Sequence, residues 1–295
     1  PRSLFFYYDG DLWKNFFENL NCKVIISPHT TKEIIKTGSA VAQDEMCLSF
    51  KNYLGHIAYL QNKCDYIVVP RIDNYGIGEQ TCTNFLASYD IVHNLFATKI
   101  INYNINLVGK ETEFKAFKKM GEKFEKDKKK VKWAYYRAKE KSLFQFEQDV
   151  NNNIAKLKSK KKKILIVGHP YNVHDTYIGK PIMNILEKLN VEIIYSDLFS
   201  KAEARKESFF LCHDLYWKYS KEIIGPIKMI EKQIDGVLFL SSFPCGLDSL
   251  VNELVIRKLN LPYLSLVIDD IDSLIGFETR IESFIDIVER VKEYA

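Results

Sequence analysis

The chain holds no Cys-x-x-Cys pair, no Gly-x-x-x-x-Gly-Lys-Ser/Thr phosphate loop, no Gly-x-Gly-x-x-Gly turn and no Gly-x-Ser-x-Gly elbow. Those absences remove a thioredoxin-type site, a local zinc knuckle, ATP hydrolysis on a P-loop and an esterase nucleophile. Glycine and proline are scarce, at 13 and 8, so a collagen-like chain and a low-complexity linker are both excluded. Apolar runs such as 164–167 are strand-sized, against the ~20 residues that a membrane span needs. No signal-peptide pattern is visible, and the chain opens on Pro1 rather than Met, so a native start further upstream is expected. Net charge is also small: 42 Lys+Arg against 38 Asp+Glu gives +4, too little to argue for nucleic acid. With 46% apolar and 27% charged residues over 295 positions, two compact domains or one large one are expected.

The charge is uneven. Residues 111–163 carry 18 Lys+Arg and 8 Asp+Glu, a net +10, which leaves 24 against 30, a net −6, for the remainder. A basic insert therefore stands between two mildly acidic halves and ends in Lys156, Lys158 and Lys160 to Lys163. Its aromatic and apolar residues, Phe114, Phe117, Phe124, Trp133, Tyr136 and Leu143, fall at helical spacing. The plain reading is surface helices with a solvated basic side; the sharper one is a docking surface for an acidic partner or for ligand phosphates.

Both halves read as α/β. Short β-branched runs at 23–27 and 66–70 each follow an amphipathic stretch, Trp13, Phe16, Phe17 and Leu20 in one case and Leu54, Ile57, Ala58 and Leu60 in the other. The second half offers strands at 164–167, 191–195, 236–240 and 263–268, separated by helical patterns at 182–189 and 250–259. A closing helix spans about 278–294, with Ile281, Phe284, Ile285 and Val288 on one face. Alternation of this kind predicts parallel sheets built from β-α-β units. The expected organisation is two Rossmann-like α/β domains, 1–110 and 159–295, joined by the basic helical insert 111–158.

Six cysteines are dispersed along the chain, which with the lack of an export signal leads us to expect a cytoplasmic, reducing location. Cys47, Cys82 and Cys245 lie in polar, turn-like contexts. Cys47 precedes a helical pattern, Cys82 follows the 66–70 strand through a Gly76-Ile77-Gly78 loop, and Cys245 follows the 236–240 strand and precedes a helix. Ligands of open parallel sheets bind beyond strand carboxyl ends, and helix N-termini favour a thiolate. The intervals of 35 and 163 residues match no compact ligand template, so spacing alone does not make the three a site. Cys22, Cys64 and Cys212 sit in strand-flanking or apolar contexts and read as structural.

His169 and His174 follow the 164–167 strand and are candidates to face the same cleft. Pro170 and the five-residue interval exclude helical His-x-x-x-His geometry. His169 reads either as a hydrogen-bond donor to a ligand or cluster sulfur or as a satisfied turn residue, and His29, His56, His93 and His213 as structural or exposed.

Pro1-Arg2-Ser3-Leu4, Trp13, Asp44-Glu45-Met46-Cys47 with Lys51 and Gly55-His56, Pro70-Arg71, Thr81-Cys82, Gly168-His169-Pro170-Tyr171-Asn172, Cys245-Gly246 with Asp248-Ser249, and Thr279-Arg280 with Phe284 together resemble the 2-hydroxyacyl-CoA dehydratase family. The nearest branch is the activase-related one, close to the dehydratase D subunit. Asp270 after Asp269, where a glutamate is common, and Leu247 between Gly246 and Asp248 depart from its pattern.

The resemblance implies an iron–sulfur protein with a [4Fe-4S] cluster on Cys47, Cys82 and Cys245 and one iron open to water or a substrate oxygen. It further implies a lyase component, in which an ATP-dependent activase-like partner supplies a low-potential electron and the cluster passes it to a 2-hydroxyacyl-CoA thioester. A homo- or hetero-dimer and an anaerobic setting accompany that reading; nucleic acid and membrane do not. Two rival classes are an accessory protein that carries or inserts a cluster for an activase or dehydratase, and a three-thiolate zinc protein.

Overall fold

The computed structural model describes residues 1–269 and 275–293, with the backbone alone at 275, 292 and 293; Asp270 lies outside the described residues. The chain is mixed α/β with parallel sheets and divides into two compact units, Pro1–Glu147 with Tyr216–Lys218, and Gln148–Leu215 with Tyr219–Ala295.

The first unit opens with α1 (Phe6–Asn19), α2 (Lys32–Val41) and α3 (Leu48–Leu60), followed by β1 (Ile67–Asn74), α4 (Thr83–Leu95) and β2 (Ile100–Asn106). It continues into α5 (Glu113–Gly121) and the long helix α6 (Lys128–Ala155), inside which the division between units falls. α1 buries Leu12, Trp13, Phe16 and Phe17, the stripe that its sequence spacing predicts. Phe16 meets Phe117 of α5 edge-on at 4.8 Å, and Trp13 meets Tyr103 of β2 at 5.3 Å. α2 and α3 cross with their backbones touching. A Cβ on Gly38 would stand 1.8 Å from the Lys51 carbonyl oxygen, and one on Gly55 would stand 2.0 Å from that of Ile34. Only glycine permits such an approach.

β1 and β2 pair in parallel, with Ile67 opposite Ile100. β2 is absent from the sequence expectations, although Ile101, Tyr103 and Ile105 alternate inward. The expected strand at 23–27 is a correction in the other direction. The segment runs outside any helix or strand, and the backbone groups of 23–26 make no hydrogen bond among the described residues. Strand propensity without a neighbouring edge does not make a sheet.

The second unit carries β3 (Lys163–Val167), α7 (Pro170–Val173), α8 (Lys180–Lys188), β4 (Glu192–Tyr195) and α9 (Lys201–Glu207). Then come α10 (Lys218–Ile230), β5 (Gly236–Ser242), α11 (Gly246–Ile256), β6 (Tyr263–Ile268) and α12 (Ile275–Glu293). The four strands pair in parallel in the order β4-β3-β5-β6. β3 and β5 are the central strands, and their unbroken apolar runs fit a sheet covered on both faces. α12 buries Ile281, Phe284, Ile285 and Val288, the face read from its periodicity. It lies over the start of β5, where a Cβ on Gly236 would stand 2.9 Å from the Phe284 ring.

The chain leaves β3 towards β4 on one side and returns to β5 on the other. The order therefore reverses between β3 and β5, and the crevice beyond their carboxyl ends is the topological switch point of this sheet.

Candidate functional site

Two loops meet at that switch point. β3 ends in Gly168-His169, and β5 ends in Phe243-Pro244-Cys245, joined by a cis Phe243–Pro244 peptide. The strands sit so close there that a Cβ on Gly168 would stand 2.6 Å from the Leu240 carbonyl oxygen.

Cys245 is the N-cap of α11, and its Sγ accepts from the Asp248 backbone N–H at 3.5 Å. Sulfur thus takes the place that a serine or aspartate oxygen fills in an ordinary cap. Ser249 Oγ donates to the Cys245 carbonyl at 2.9 Å. The Asp248 carboxylate lies 3.0 Å from His169 Nε2 and the two side chains are buried, while the imidazole stacks on Tyr171 with ring centres 5.0 Å apart. A continuous polar path therefore runs from His169 through Asp248 to the sulfur of Cys245. One partner of His169 is thus a carboxylate on α11.

A second histidine pair lies nearby in the chain. His174 Nε2 is 2.8 Å from Asp197 Oδ2. Burial pulls the His174 imidazole down, but the Asp197 charge and hydrogen bond outweigh it and leave the group above its ordinary value. Burial pushes Asp197 up, and His174 in turn holds the carboxyl below its ordinary value.

The other two candidate thiols are in the first unit. Cys47 is the N-cap of α3 and Cys82 the N-cap of α4, and these two helices touch. Cys82 is placed by the preceding turn. Gly78 adopts φ +71°, Tyr75 N–H donates to the Glu79 carbonyl at 2.8 Å, and Thr81 N–H donates to Asp73 at 3.0 Å. Gln80 exchanges backbone hydrogen bonds with Tyr216 and Lys218, which ties that short excursion to the first unit.

None of the three candidate thiols is in a disulfide, all are half-buried, and each stands at the amino end of a helix. The first-turn N–H groups and dipole there stabilise negative charge. Burial instead pushes the thiols of Cys22, Cys64 and Cys212 up. The donor chemistry of Cys47, Cys82 and Cys245 fits a thiolate-held iron–sulfur group. Cys47 and Cys82 belong to one unit and Cys245 to the other, and among the described residues no three His, Cys, Asp or Glu side chains are gathered as a metal ion requires.

His56, by contrast, is structural. Its ring nitrogens meet Ser27 Oγ at 2.8 Å and Thr30 Oγ1 at 3.1 Å, and burial holds it neutral with a pKa of about 3.

No helix among the described residues is long and apolar enough to cross a membrane. No curated protein matches the chain. A family model, described as the CoA enzyme activase uncharacterised domain, matches residues 1–199. That span takes in Cys47, Cys82, His169 and His174 and stops short of Cys245. The match overturns the expectation of a dehydratase component that passes an electron to its own acyl-CoA substrate, because the described relation is to the activase of a CoA enzyme. On a match covering two thirds of its length, the chain belongs to the family described as the CoA enzyme activase uncharacterised domain.

Proposed function

We propose that this chain is an activase-side component serving an acyl-CoA dehydratase partner. The observation that carries the reading is the family match over residues 1–199. The sequence offers no glycine-rich phosphate loop, so nucleotide hydrolysis is not assigned to this chain. Its role is to prepare the CoA enzyme rather than to turn over the thioester.

We read the parallel sheets as two Rossmann-like domains carrying the basic insert. Cys47, Cys82 and Cys245 are the thiolates that would hold a [4Fe-4S] cluster, which when bound supplies one-electron chemistry at low potential. Their shared N-cap position supports this assignment. The His169–Asp248 pair holds the first turn of α11 against β3, so that Cys245 keeps its place. A cytoplasmic, reducing setting suits three thiols that must stay unoxidised.

Protein purified without air should contain iron and sulfide, and Ala at Cys47, Cys82 or Cys245 should remove both, while Cys64→Ala keeps them. Adding the chain to an acyl-CoA dehydratase should raise its turnover. A dehydratase rate indifferent to the chain would sink the activase reading, whatever the iron content.

A further inference from the structure

A surface helix normally carries one apolar stripe, turned towards its core. The first-unit part of α6 carries two. Val131, Ala134, Tyr135 and Ala138 are buried, and Tyr135 packs on Phe117 of α5 with ring centres 5.1 Å apart. At 3.6 residues per turn, Trp133, Tyr136, Leu143 and Phe144 share about 100° of arc on the opposite side of the helix. They are exposed by 55%, 53%, 51% and 61%. The ridge they form is about 17 Å long at ~1.5 Å per residue. The Tyr136 ring is held in place by Phe114 of α5, stacked on it at 5.7 Å, so a partner need not order it.

The charge beside this ridge has one sign. Residues 128–141 hold seven Lys and Arg against Glu140 alone. Lys130 pairs with Glu125, Arg137 with Glu140 and Lys139 with Glu113. Lys129 and Lys132 form no ion pair among the described residues, and the Lys132 ammonium lies 5.8 Å from the centre of the Tyr136 ring. With Trp133, Tyr136, Arg137 and Glu140 these two lysines line an open depression of about 680 Å³.

Three kinds of occupant fit poorly. A second copy would bring lysines against lysines, and like charges in contact oppose association. A lipid surface asks for an unbroken apolar face, whereas Glu140 and Glu147 stand along the middle of this ridge. A phosphate ligand would use the lysine end and leave Leu143 and Phe144, two turns further on, uncovered. An amphipathic helix covers the whole length with side chains at i, i+3, i+4 and i+7. Acidic residues at one of its ends would complement Lys129 and Lys132.

We propose that the outward face of α6 is a docking surface for an acidic amphipathic helix of a protein partner. Its apolar residues lie on Trp133, Tyr136, Leu143 and Phe144, and its carboxylates meet Lys129, Lys132 and Arg137.

The probe is a labelled synthetic helix of about 18 residues, with leucines at i, i+3, i+4 and i+7 and glutamates beside them, titrated into the full chain and followed by anisotropy. It should bind at least about tenfold more tightly than a scrambled peptide of the same composition. Trp133→Ala should weaken it by about tenfold, and so should Lys129→Glu combined with Lys132→Glu. Lys160→Glu with Lys161→Glu makes the same charge change outside α6 and should leave Kd within about twofold. All the replaced side chains are exposed, so melting curves of the variants should match the parent, which separates lost binding from lost folding. Raising salt from about 50 to 300 mM should weaken the parent complex more than that of the Lys129/Lys132 variant. Equal binding of the scrambled peptide would mean unspecific charge attraction and would overturn the proposal. So would a Kd indifferent to Trp133. Vesicles of phosphatidylserine that displace the peptide and need Trp133 themselves would make the face a membrane contact. Self-association in sedimentation that Trp133→Ala abolishes would make it an interface between copies. Either result would also overturn the proposal.

Discussion

His169 Nε2 and Asp248 Oδ1 stand 3.0 Å apart although 79 residues separate them, and this contact joins the end of β3 to the first turn of the helix that Cys245 caps. The two side chains are buried, and the contact offsets part of the desolvation of each.

Removing both partners should therefore cost less than the two single losses added together. His169→Ala or Asp248→Ala should lose about 2 kcal/mol in urea unfolding, because a buried polar group loses a hydrogen-bond partner at 3.0 Å. The double variant should fall well short of the sum, giving a coupling above about 1 kcal/mol. Additive losses would mean that the contact does not hold the two loops together.

The backbone crossing of α2 and α3 makes a second, independent case. Gly38→Ala and Gly55→Ala place a Cβ within 1.8 and 2.0 Å of a carbonyl oxygen, so the helices must separate. A loss of at least ~2 kcal/mol is expected for each. Gly246→Ala, where an added Cβ meets nothing within 4 Å, should change stability by less than about 0.5 kcal/mol. Equal effects at all three sites would contradict the packing.

Thiol reactivity should sort the cysteines into two sets. Iodoacetamide at neutral pH, followed by peptide mass spectrometry, should label Cys47, Cys82 and Cys245 before Cys22, Cys64 and Cys212. Helix amino ends favour the reacting thiolate, whereas burial pushes the latter three thiols up. Fastest labelling at Cys64 or Cys22 would reverse the assignment.

Acid should weaken the first unit through His56. Its folded value of about 3 lies below the ordinary ~6.5, so the unfolded chain takes up a proton first. The contribution is complete above ~6.5 and declines as pH falls from there towards ~3, by up to roughly 1.4 kcal/mol per pH unit. His174 has the opposite sign. Its raised folded value gives stability that is full below ~6.5 and fades as pH rises through that folded value. Trp13, Trp133 and Trp217 all belong to the first unit, so tryptophan fluorescence follows that unit's unfolding. Its urea midpoint should drop between pH 7 and 5, and His56→Asn should flatten the slope. A midpoint equally pH-dependent in the variant would remove His56 from the account.

Local periodicity and turn chemistry determined a good deal of this protein. The buried stripe of α1, the apolar runs of β3 and β5, the helical character of α5 and α6 and the inward face of α12 were all legible, because a helix or a doubly covered strand records its burial in its own spacing. So was the setting of Cys47 and Cys245 at helix starts, which depends on a few neighbouring residues. Pairing was not legible, because it is decided by what lies alongside. Residues 23–27 have the composition of a strand and no edge to bind, while β2, less obvious in sequence, has β1 beside it. The reversal of strand order between β3 and β5, and the meeting of His169 with Asp248 across 79 residues, belong to the tertiary structure alone. No local propensity encodes which two loops a parallel sheet brings to its switch point; that follows from the crossovers, whose direction is set by packing helices on both faces of the sheet.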